Sequence, residues 1–306
     1  MKKILILGGG FSKEREISLD TANSVLKALK KKDYQVKICE PDGKLVKNIK
    51  NFKPNVVFNA LHGRYGEDGY IQALLETLKV KYTHSGVLAS HIAMDKVISK
   101  KIFLKNKIKT PKYLKYKFNK NKIISKKIIP IIQKKLNFPV VIKPINEGSS
   151  VNVYICSRKN LIRNLKKLYH YKEILIEEFI PGREIQVAIL GKKKLGAIEL
   201  IPKRKFYDYK AKYSVKAATK HIIPVELKKK EFQKVMNIAF KAHNLIGCKG
   251  VTRSDFKYNK GTFYLLETNT QPGMTKLSLV PEIAAYSGMN FINLIEWIIT
   301  DASINR

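Results

Sequence analysis

The chain has 306 residues, with 60 lysines and arginines against 24 aspartates and glutamates, a net charge of +36. This length predicts two or three domains, and no stretch reaches the ~20 apolar residues of a membrane-spanning helix. The first apolar run, Ile4 to Leu7, is too short for a signal peptide. Three scattered cysteines without a CxxC motif favour a reducing cytoplasm over a disulfide framework or a zinc site.

Strands alternate with helices in the first 95 residues. Residues 2–7 predict a strand that runs into Gly8–Gly10, and a helix is predicted over 18–32. The strands YQVKIC and NVVFNAL follow, and then a helix over 67–78. This alternation predicts a parallel α/β domain over residues 1–95.

The remainder predicts more strands than helices. A lysine-rich helix is expected over 88–105, followed by the strands FPVVIKP, VNVYIC and ILIEEFI. The strands EIQVAIL, LGAIELIP, GVTRSDFKY and TFYLLETNT come later, with a helix over 226–245 between the two pairs. We therefore expect two α+β domains, over 96–185 and 186–306.

The excess positive charge has two interpretations. Lysines occur in short bursts, such as Lys30–Lys32 and Lys228–Lys230, in all three predicted domains. One interpretation is a nucleic-acid-binding surface. The other is a lysine-coated surface on a protein of different function, and we favour it because no long basic tail is present.

Two loops that follow predicted strands carry candidate ligand-binding side chains. Glu14 follows the first strand and His62 follows the third, at the edge where open α/β sheets bind ligands. Lys13 stands where a dinucleotide fingerprint needs its third glycine. The alternative is structural: a tight turn in the first loop, and in the second a helix N-terminus stabilised by Glu67 and Asp68.

The segment FPVVIKPINEGSS combines a strand lysine with a turn of small residues. Burying Lys143 in an apolar strand is costly without an anionic partner, although its ammonium could instead extend to the surface. The turn Gly148–Ser150 offers backbone N–H and hydroxyl donors. This arrangement suits a polyphosphate, and it is not a Walker A motif.

The most specific pattern is a C-terminal hairpin. A turn centred on Gly261 would place Asp255 opposite Glu267 and Arg253 opposite Asn269, all on one face, because side chains two apart point the same way. Two carboxylates and an amide oxygen suit Mg²⁺. Arg253 adds a charge for a phosphate or carboxylate.

A charge ladder on a solvated sheet is the alternative explanation for this hairpin. We favour the metal site because Phe256, Tyr264 and Leu266 would supply a buried opposite face. The segment KFYDYKAKYS, at residues 205–214, predicts either an exposed loop or edge strand, or a mobile lid that carries Lys212 and Tyr213.

Six motifs, in chain order, resemble those of the D-alanine–D-alanine ligases, a family with the ATP-grasp fold. They are GGxSxE from Gly9, HGxxGEDG from His62, Met-Asp-Lys at 94–96, KPxxEGSS from Lys143, FYDYxAKY from Phe206 and RxD…ExNTxPGMT from Arg253. The resemblance covers residues 3–298. It implies a Rossmann-like N-terminal domain and two α+β domains that hold ATP between them.

The resemblance also implies a reaction. ATP phosphorylates the carboxylate of one D-alanine, and the amine of a second attacks the acylphosphate, which yields a dipeptide for peptidoglycan. An acceptor such as D-lactate, which would give an ester, stays open, although Tyr213 favours an amine. The implied partners are ATP and D-alanine, without a specific nucleic acid or a membrane, and the implied assembly is a cytoplasmic homodimer.

Roles follow for residues of this sequence. Glu14, Ser149 and Tyr213 would form a hydrogen-bonded triad at the amino group of the first D-alanine, with His62 nearby. The residues that would bind ATP are Lys96, Lys143, Glu177, Glu178, Phe179, Ile180, Glu184 and, at the γ-phosphate, Lys212. Arg253 and the Gly273 backbone would form an oxyanion site, and Ser278 and Leu279 would bind the carboxylate of the second D-alanine. Asp255, Glu267 and Asn269 would hold two Mg²⁺ or Mn²⁺ ions.

Three positions depart from the family pattern. His84 and Asn152 stand where glycine is usual, and Tyr209-Lys210 replaces the usual lid pair. We expect these changes to affect lid closure and the flexibility of the Gly148–Ser150 turn rather than the reaction.

Overall fold

The computed structural model describes residues 1–119, 124–201 and 219–306. Its first sheet is parallel, in the order β2-β1-β3, and consists of β1 (Lys2–Leu7), β2 (Tyr34–Cys39) and β3 (Val56–Asn59). The accompanying helices are α1 (Arg15–Leu29), α2 (Leu45–Phe52) and α3 (Tyr70–Thr77). The predicted parallel α/β fold of this region is confirmed.

Both faces of the first sheet are covered. In β1, Ile4 and Ile6 pack in one core, and Leu5 and Leu7 pack in another. A parallel sheet buried on both sides has continuous apolar strands rather than alternating ones, which explains the run ILIL. The carboxyl end of β1 then delivers the glycine turn to the open edge of the sheet.

A second, antiparallel sheet has the order β4-β7-β5-β6. Its strands are β4 (Tyr113–Lys117), β5 (Val140–Pro144), β6 (Tyr154–Cys156) and β7 (Glu173–Glu178), with α6 (Ile128–Lys135) and α7 (Leu161–Lys167) on one face. Ile142 and Ile176 point toward these helices. Because side chains alternate along a strand, Lys143 and Glu177 point to the opposite face.

The third sheet is antiparallel, in the order β10-β9-β8-β11-β12. Its strands are β8 (Arg183–Leu190), β9 (Lys193–Ile201), β10 (Lys220–Ile222), β11 (Val251–Asn259) and β12 (Thr262–Asn269). One face packs on α8 (Lys229–Ile246), and the other packs on α9 (Leu279–Tyr286) and α10 (Phe291–Thr300). The apolar core between this sheet and helices α9 and α10 also contains Ile4 and Ile6 of β1. The first and third sheets therefore share one apolar core.

The helix predicted over 88–105 is two helices, α4 (Val87–Met94) and α5 (Lys96–Lys105). Asp95 between them is extended, with φ −81° and ψ 102°, and its Oδ1 accepts the N–H groups of Val97 at 2.8 Å and Ile98 at 2.9 Å. The prediction of one helix was therefore wrong, because an aspartate N-cap starts a new one. This cap makes Lys96 the first residue of α5.

The hairpin of β11 and β12 has the predicted site pairs and a different turn. Asp255 pairs with Glu267 and Arg253 with Asn269. The turn itself is Lys260-Gly261, where both residues have positive φ, as a type I′ turn requires. A bulge beside Asp255 shifts the register by one residue, and this shift creates the pairs that a turn centred on Gly261 would have given.

The same bulge makes the predicted buried face partly wrong. Phe256 is buried, as expected, and its apolar neighbours on β12 are Phe263 and Leu265. Tyr264 and Leu266 are only partly buried. Between the bulge and the turn, the strands keep the register that a two-residue turn gives. On β12, Phe263 and Leu265 therefore point inward instead of Tyr264 and Leu266.

Two further outcomes concern the chain as a whole. No helix among residues 1–119, 124–201 and 219–306 combines the length and apolarity that a membrane crossing needs. The predicted lid, with Lys212 and Tyr213, lies outside the described residues, and the domain boundaries near 95 and 185 stay predictions.

Candidate active site

Two adjoining cavities lie between the sheets, and every predicted site residue that the structure describes lines one or both. Those of the first cavity are Glu14, His62, Lys96, Ser149, Arg253, Glu267, Asn269, Gly273, Ser278 and Leu279. Those of the second are Lys96, Lys143, Glu177, Glu178, Phe179, Ile180, Glu184, Asp255 and Glu267. Lys96 and Glu267 line both, so they mark the junction.

Glu14 lies in the first cavity and is 6% exposed. It directly precedes α1, and the Ser149 hydroxyl donates a hydrogen bond to its Oε1. A Cβ on Gly63 would lie 2.5 Å from Glu14 Oε2, and one on Gly148 would lie 3.2 Å from it. The carboxylate is therefore held in a space that only these small residues leave open.

His62 is fixed through both ring nitrogens. Its Nδ1 lies 3.1 Å from Glu67 Oε1, and its Nε2 lies 3.0 Å from Thr21 Oγ1. A helix was expected to begin near Glu67, but α3 begins at Tyr70, and the Glu67 carboxylate faces the His62 imidazole instead. Asp68 does stabilise the start of α3, because its carboxylate accepts the Tyr70 N–H at 3.2 Å.

The loop after β12 brings Gly273 and Ser278 to the first cavity. Ser278 Oγ accepts the Thr275 N–H at 2.9 Å, and a Cβ on Gly273 would lie 2.9 Å from the same oxygen. Leu279 is the first residue of α9. Backbone N–H groups at a helix N-terminus attract anions, so this corner suits a carboxylate.

The hairpin carboxylates lie against cations. Arg253 donates to both oxygens of Asp255, at 2.7 and 3.0 Å. Lys96 Nζ lies 3.3 Å from Glu267 Oε2 and donates to the Glu147 carbonyl at 2.7 Å. The carboxylates of Asp255 and Glu267 therefore lie where positive charge is already bound. Together with the side-chain oxygen of Asn269, they offer the hard oxygen donors that Mg²⁺ prefers.

In the second cavity, Glu177 is 2% exposed and bound by two lysines. Lys143 Nζ lies 2.6 Å from one carboxylate oxygen and Lys100 Nζ lies 2.7 Å from the other. Burial by itself would raise the pKa of Glu177, but the two ammonium groups hold that pKa below its ordinary value. The anionic partner that a buried Lys143 requires is thus Glu177.

One edge of the second cavity is formed by the end of β7, the loop after it and the start of β8. Phe179 and Ile180 add apolar surface. Glu184 Oε2 lies 3.0 Å from Lys257 Nζ, and Glu178 Oε1 accepts the Lys112 N–H at 2.8 Å. An apolar patch beside charged groups is the combination that a nucleotide base and its phosphates require.

Family models describe most of the chain. One, described as "D-ala D-ala ligase C-terminus", matches residues 102–300, and another, "D-ala D-ala ligase N-terminus", matches residues 41–85. A D-alanine–D-alanine ligase of Pelagibacter ubique is 68% identical over 100% of this chain and 99% of its own length. One from Wolbachia pipientis wMel is 44% identical over 98% and 94%.

The chain belongs to the D-alanine–D-alanine ligase family. Two crystal structures of the Bacillus anthracis ligase agree, each covering 98% of this chain and 97% of its own. One has a TM-score of 0.86 at 33% identity, and the other, complexed with ATP, has 0.84 at 29%. The predicted family, ATP-grasp fold and ligase activity are confirmed.

Two departures from the family pattern have a structural explanation. His84 has φ +70° and Asn152 has φ +57°, a left-handed conformation that glycine adopts freely. Asparagine and histidine are among the side chains enriched in that region. Asn152 also donates to the Tyr171 hydroxyl at 3.0 Å, so both residues keep the backbone path that glycine would permit.

Several residues that support the candidate site were not predicted from the sequence. Asn59, at the end of β3, donates to Gln271 Oε1 at 2.7 Å and so joins the first sheet to the loop after β12. Thr21 orients His62, and Lys100 binds Glu177. Asp95 could have been recognised as an N-cap, whereas the other three depend on contacts between distant segments.

Proposed function

We propose that the first cavity binds the two D-alanine molecules and that the second binds ATP, so that the dipeptide forms where the cavities meet. The observation that carries this assignment is the junction itself. Lys96 and Glu267 line both cavities, and a phosphoryl group must pass from nucleotide to carboxylate at such a point. The family's reaction, ADP-forming ligation of two D-alanines for peptidoglycan synthesis, supports it.

Glu14 would hold the ammonium group of the first D-alanine, because it is a buried carboxylate already bound by Ser149. His62 lies beside it, and Tyr213 would complete the triad from the lid. The N-terminus of α9, at Ser278 and Leu279, would bind the carboxylate of the second D-alanine. The amine of this second D-alanine would then face the carbonyl carbon of the first, which it attacks.

The transfer needs positive charge at two places. Lys96 and Lys143, with Lys212 from the lid, would neutralise the ATP phosphates as the γ-phosphate moves to the first D-alanine carboxylate and ADP leaves. Glu178, Phe179, Ile180 and Glu184 would surround the rest of the nucleotide. Arg253 and the Gly273 N–H would stabilise the oxyanion that forms when the amine attacks and phosphate departs.

Asp255, Glu267 and Asn269 would hold the two Mg²⁺ ions on which the family's reaction depends. When bound, these ions neutralise phosphate charge. The chain's own contribution is to place both carboxylates on one face of a rigid hairpin. Arg253 must then exchange part of its contact with Asp255 for the oxyanion.

We further propose a homodimer that acts in the cytoplasm without a specific nucleic acid or a membrane. The family resemblance supports the dimer, and the requirement for ATP supports the compartment. Light scattering after gel filtration measures the mass: a value near the 35.0 kDa of one chain would contradict the dimer.

The reaction is tested by ADP release from ATP and Mg²⁺. We expect release only with D-alanine, formation of one dipeptide per ADP, and poor use of L-alanine. D-lactate as second substrate should give little ester. ADP release that is indifferent to D-alanine would contradict the assignment of the first cavity.

A further inference from the structure

Lys100 is a completely buried lysine that lies outside both cavities. Its side chain is 0% exposed and extends from α5 to Glu177. Two more acceptors hold its ammonium, the Thr110 hydroxyl and, at 3.5 Å, the Pro111 carbonyl. Lys100 lines neither cavity, whereas two of its partners, Glu177 and Pro111, line the second one. Lys100 can therefore affect a ligand there only through its partners, of which Glu177 carries the charge.

Glu177 therefore has two counter-ions of different kinds. Lys100 is enclosed and held by three groups. Lys143 lines the second cavity, and in the described part of the chain its ammonium has a single ion pair, with Glu177. The trio carries one carboxylate and two ammonium groups, a net charge of +1. A pair of Glu177 and Lys143 would carry none.

The geometry points to Lys100 as a positioning residue, the enclosed counter-ion of Glu177 that allows Lys143 to transfer its ammonium from that carboxylate to a phosphate of the nucleotide. Leaving a buried carboxylate unpaired is strongly unfavourable. Without Lys100, Lys143 would be the remaining partner of Glu177 and would be retained by it. With Lys100, Glu177 stays paired when Lys143 moves. The inference rests on the proposed location of ATP in the second cavity.

The test compares ATP binding, measured by calorimetry without D-alanine, in a cycle of two substitutions. Lys100→Met in the otherwise unchanged protein should weaken ATP binding about tenfold, since Lys143 is then held by Glu177. In a Glu177→Gln background, no carboxylate retains Lys143, so adding Lys100→Met should change the dissociation constant by less than about threefold. Equal effects in both backgrounds would overturn the inference.

Lys101→Met is the matched control, because it removes the same charge from an exposed position of the same helix; it should leave ATP binding unchanged. Lys143→Met separates the two proposals. If it leaves ATP binding unchanged, the location of ATP is wrong; if it weakens binding and Lys100→Met does not, only the role of Lys100 is wrong.

Thermal unfolding identifies a merely structural role, which would lower the melting temperature of Lys100→Met without changing the ATP dissociation constant. If that variant does not fold, the Lys100→Met/Glu177→Gln double variant, which loses one charge of each sign, takes its place. It should bind ATP within about threefold of Glu177→Gln alone. A tenfold weaker affinity would overturn the inference.

Discussion

At the scale of single residues, the candidate site depends on glycines placed against polar side chains. Gly63 and Gly148 leave room for Glu14, and Gly273 leaves room for Ser278. These contacts explain why glycine and serine are frequent in the motifs. A motif identifies such residues, but the atom that each of them accommodates becomes visible only in the structure.

Glu267→Gln should reduce turnover on the order of 100-fold, because it removes one ligand charge at the junction of the cavities. The free energy of unfolding should change by less than about 1 kcal/mol, since the substitution is nearly isosteric at the surface of a cavity. ADP release and urea denaturation measure the two effects.

Glu173→Gln is the control, since Glu173 forms a surface ion pair with Lys115 on the second sheet and should alter neither quantity. An unchanged rate of the Glu267 variant at limiting Mg²⁺ would show that Glu267 is not a metal ligand.

At the scale of elements, two local devices decide where functional side chains lie. The Asp95 cap starts α5 at Lys96, and the bulge beside Asp255 brings Glu267 and Asn269 into register with β11. A one-residue slip moves every later side chain to the other face of a strand. Both devices therefore help to set the positions of residues that line the two cavities.

Asp95→Ala should lower the free energy of unfolding by about 1 kcal/mol, as loss of an N-cap does. It should also raise the KM for ATP, because the first turn of α5 holds Lys96 in place. Asn290→Ala provides a matched comparison: Asn290 caps α10 by accepting the Asn293 N–H at 2.9 Å, away from both cavities. We expect a similar loss of stability there with an unchanged KM; a raised KM in both variants would refute a local effect of Asp95.

At the scale of the whole molecule, buried histidines make the fold sensitive to acid. Burial, reinforced by the charge of Arg306, lowers the pKa of His84 to about 3, and burial with Lys249 nearby lowers the pKa of His243 to about 4. Unfolded histidines titrate near pH 6.5. As the pH falls from about 6.5 toward 4, the unfolded chain takes up protons that the folded chain does not, so stability must fall.

Urea denaturation at pH 7 and pH 5 measures this loss. His84→Asn should make the dependence shallower, because asparagine tolerates the positive φ and does not titrate in this range. His170→Asn, at an exposed position, should leave it unchanged. Equal pH dependence in all three proteins would exclude His84 as a source.

The net charge of +36 should produce only weak, salt-sensitive binding of polyanions. Contacts that neutralise 6–10 phosphates lose roughly 10³–10⁵ in affinity between 50 and 200 mM salt. Ligase activity should persist at 200 mM salt, because enclosed charges are screened less. One salt titration can follow both signals, and sequence-selective nanomolar binding of DNA or RNA at physiological salt would contradict our interpretation of the lysines.

The sequence by itself determined the strands, the order of the motifs and, through them, the family and the residues that line the two cavities. These features are local, because apolar runs, glycine turns and motif spacing lie within short segments. The pairing of Asp255 with Glu267 was also predicted correctly, but only because the bulge beside Asp255 offsets the difference between the predicted turn and the observed one. The start of α5 at Lys96 is also a local feature, because the Asp95 N-cap lies next to it in the chain.

The tertiary structure decided which distant segments meet. Lys100 and Glu177 are 77 positions apart, and Asn59 and Gln271 are joined across 212 positions; no periodicity or motif links either pair. Such contacts arise because buried polar groups must find partners wherever the packed sheets bring them. The sequence therefore predicted residues that line the two cavities, and only the fold revealed what orients them.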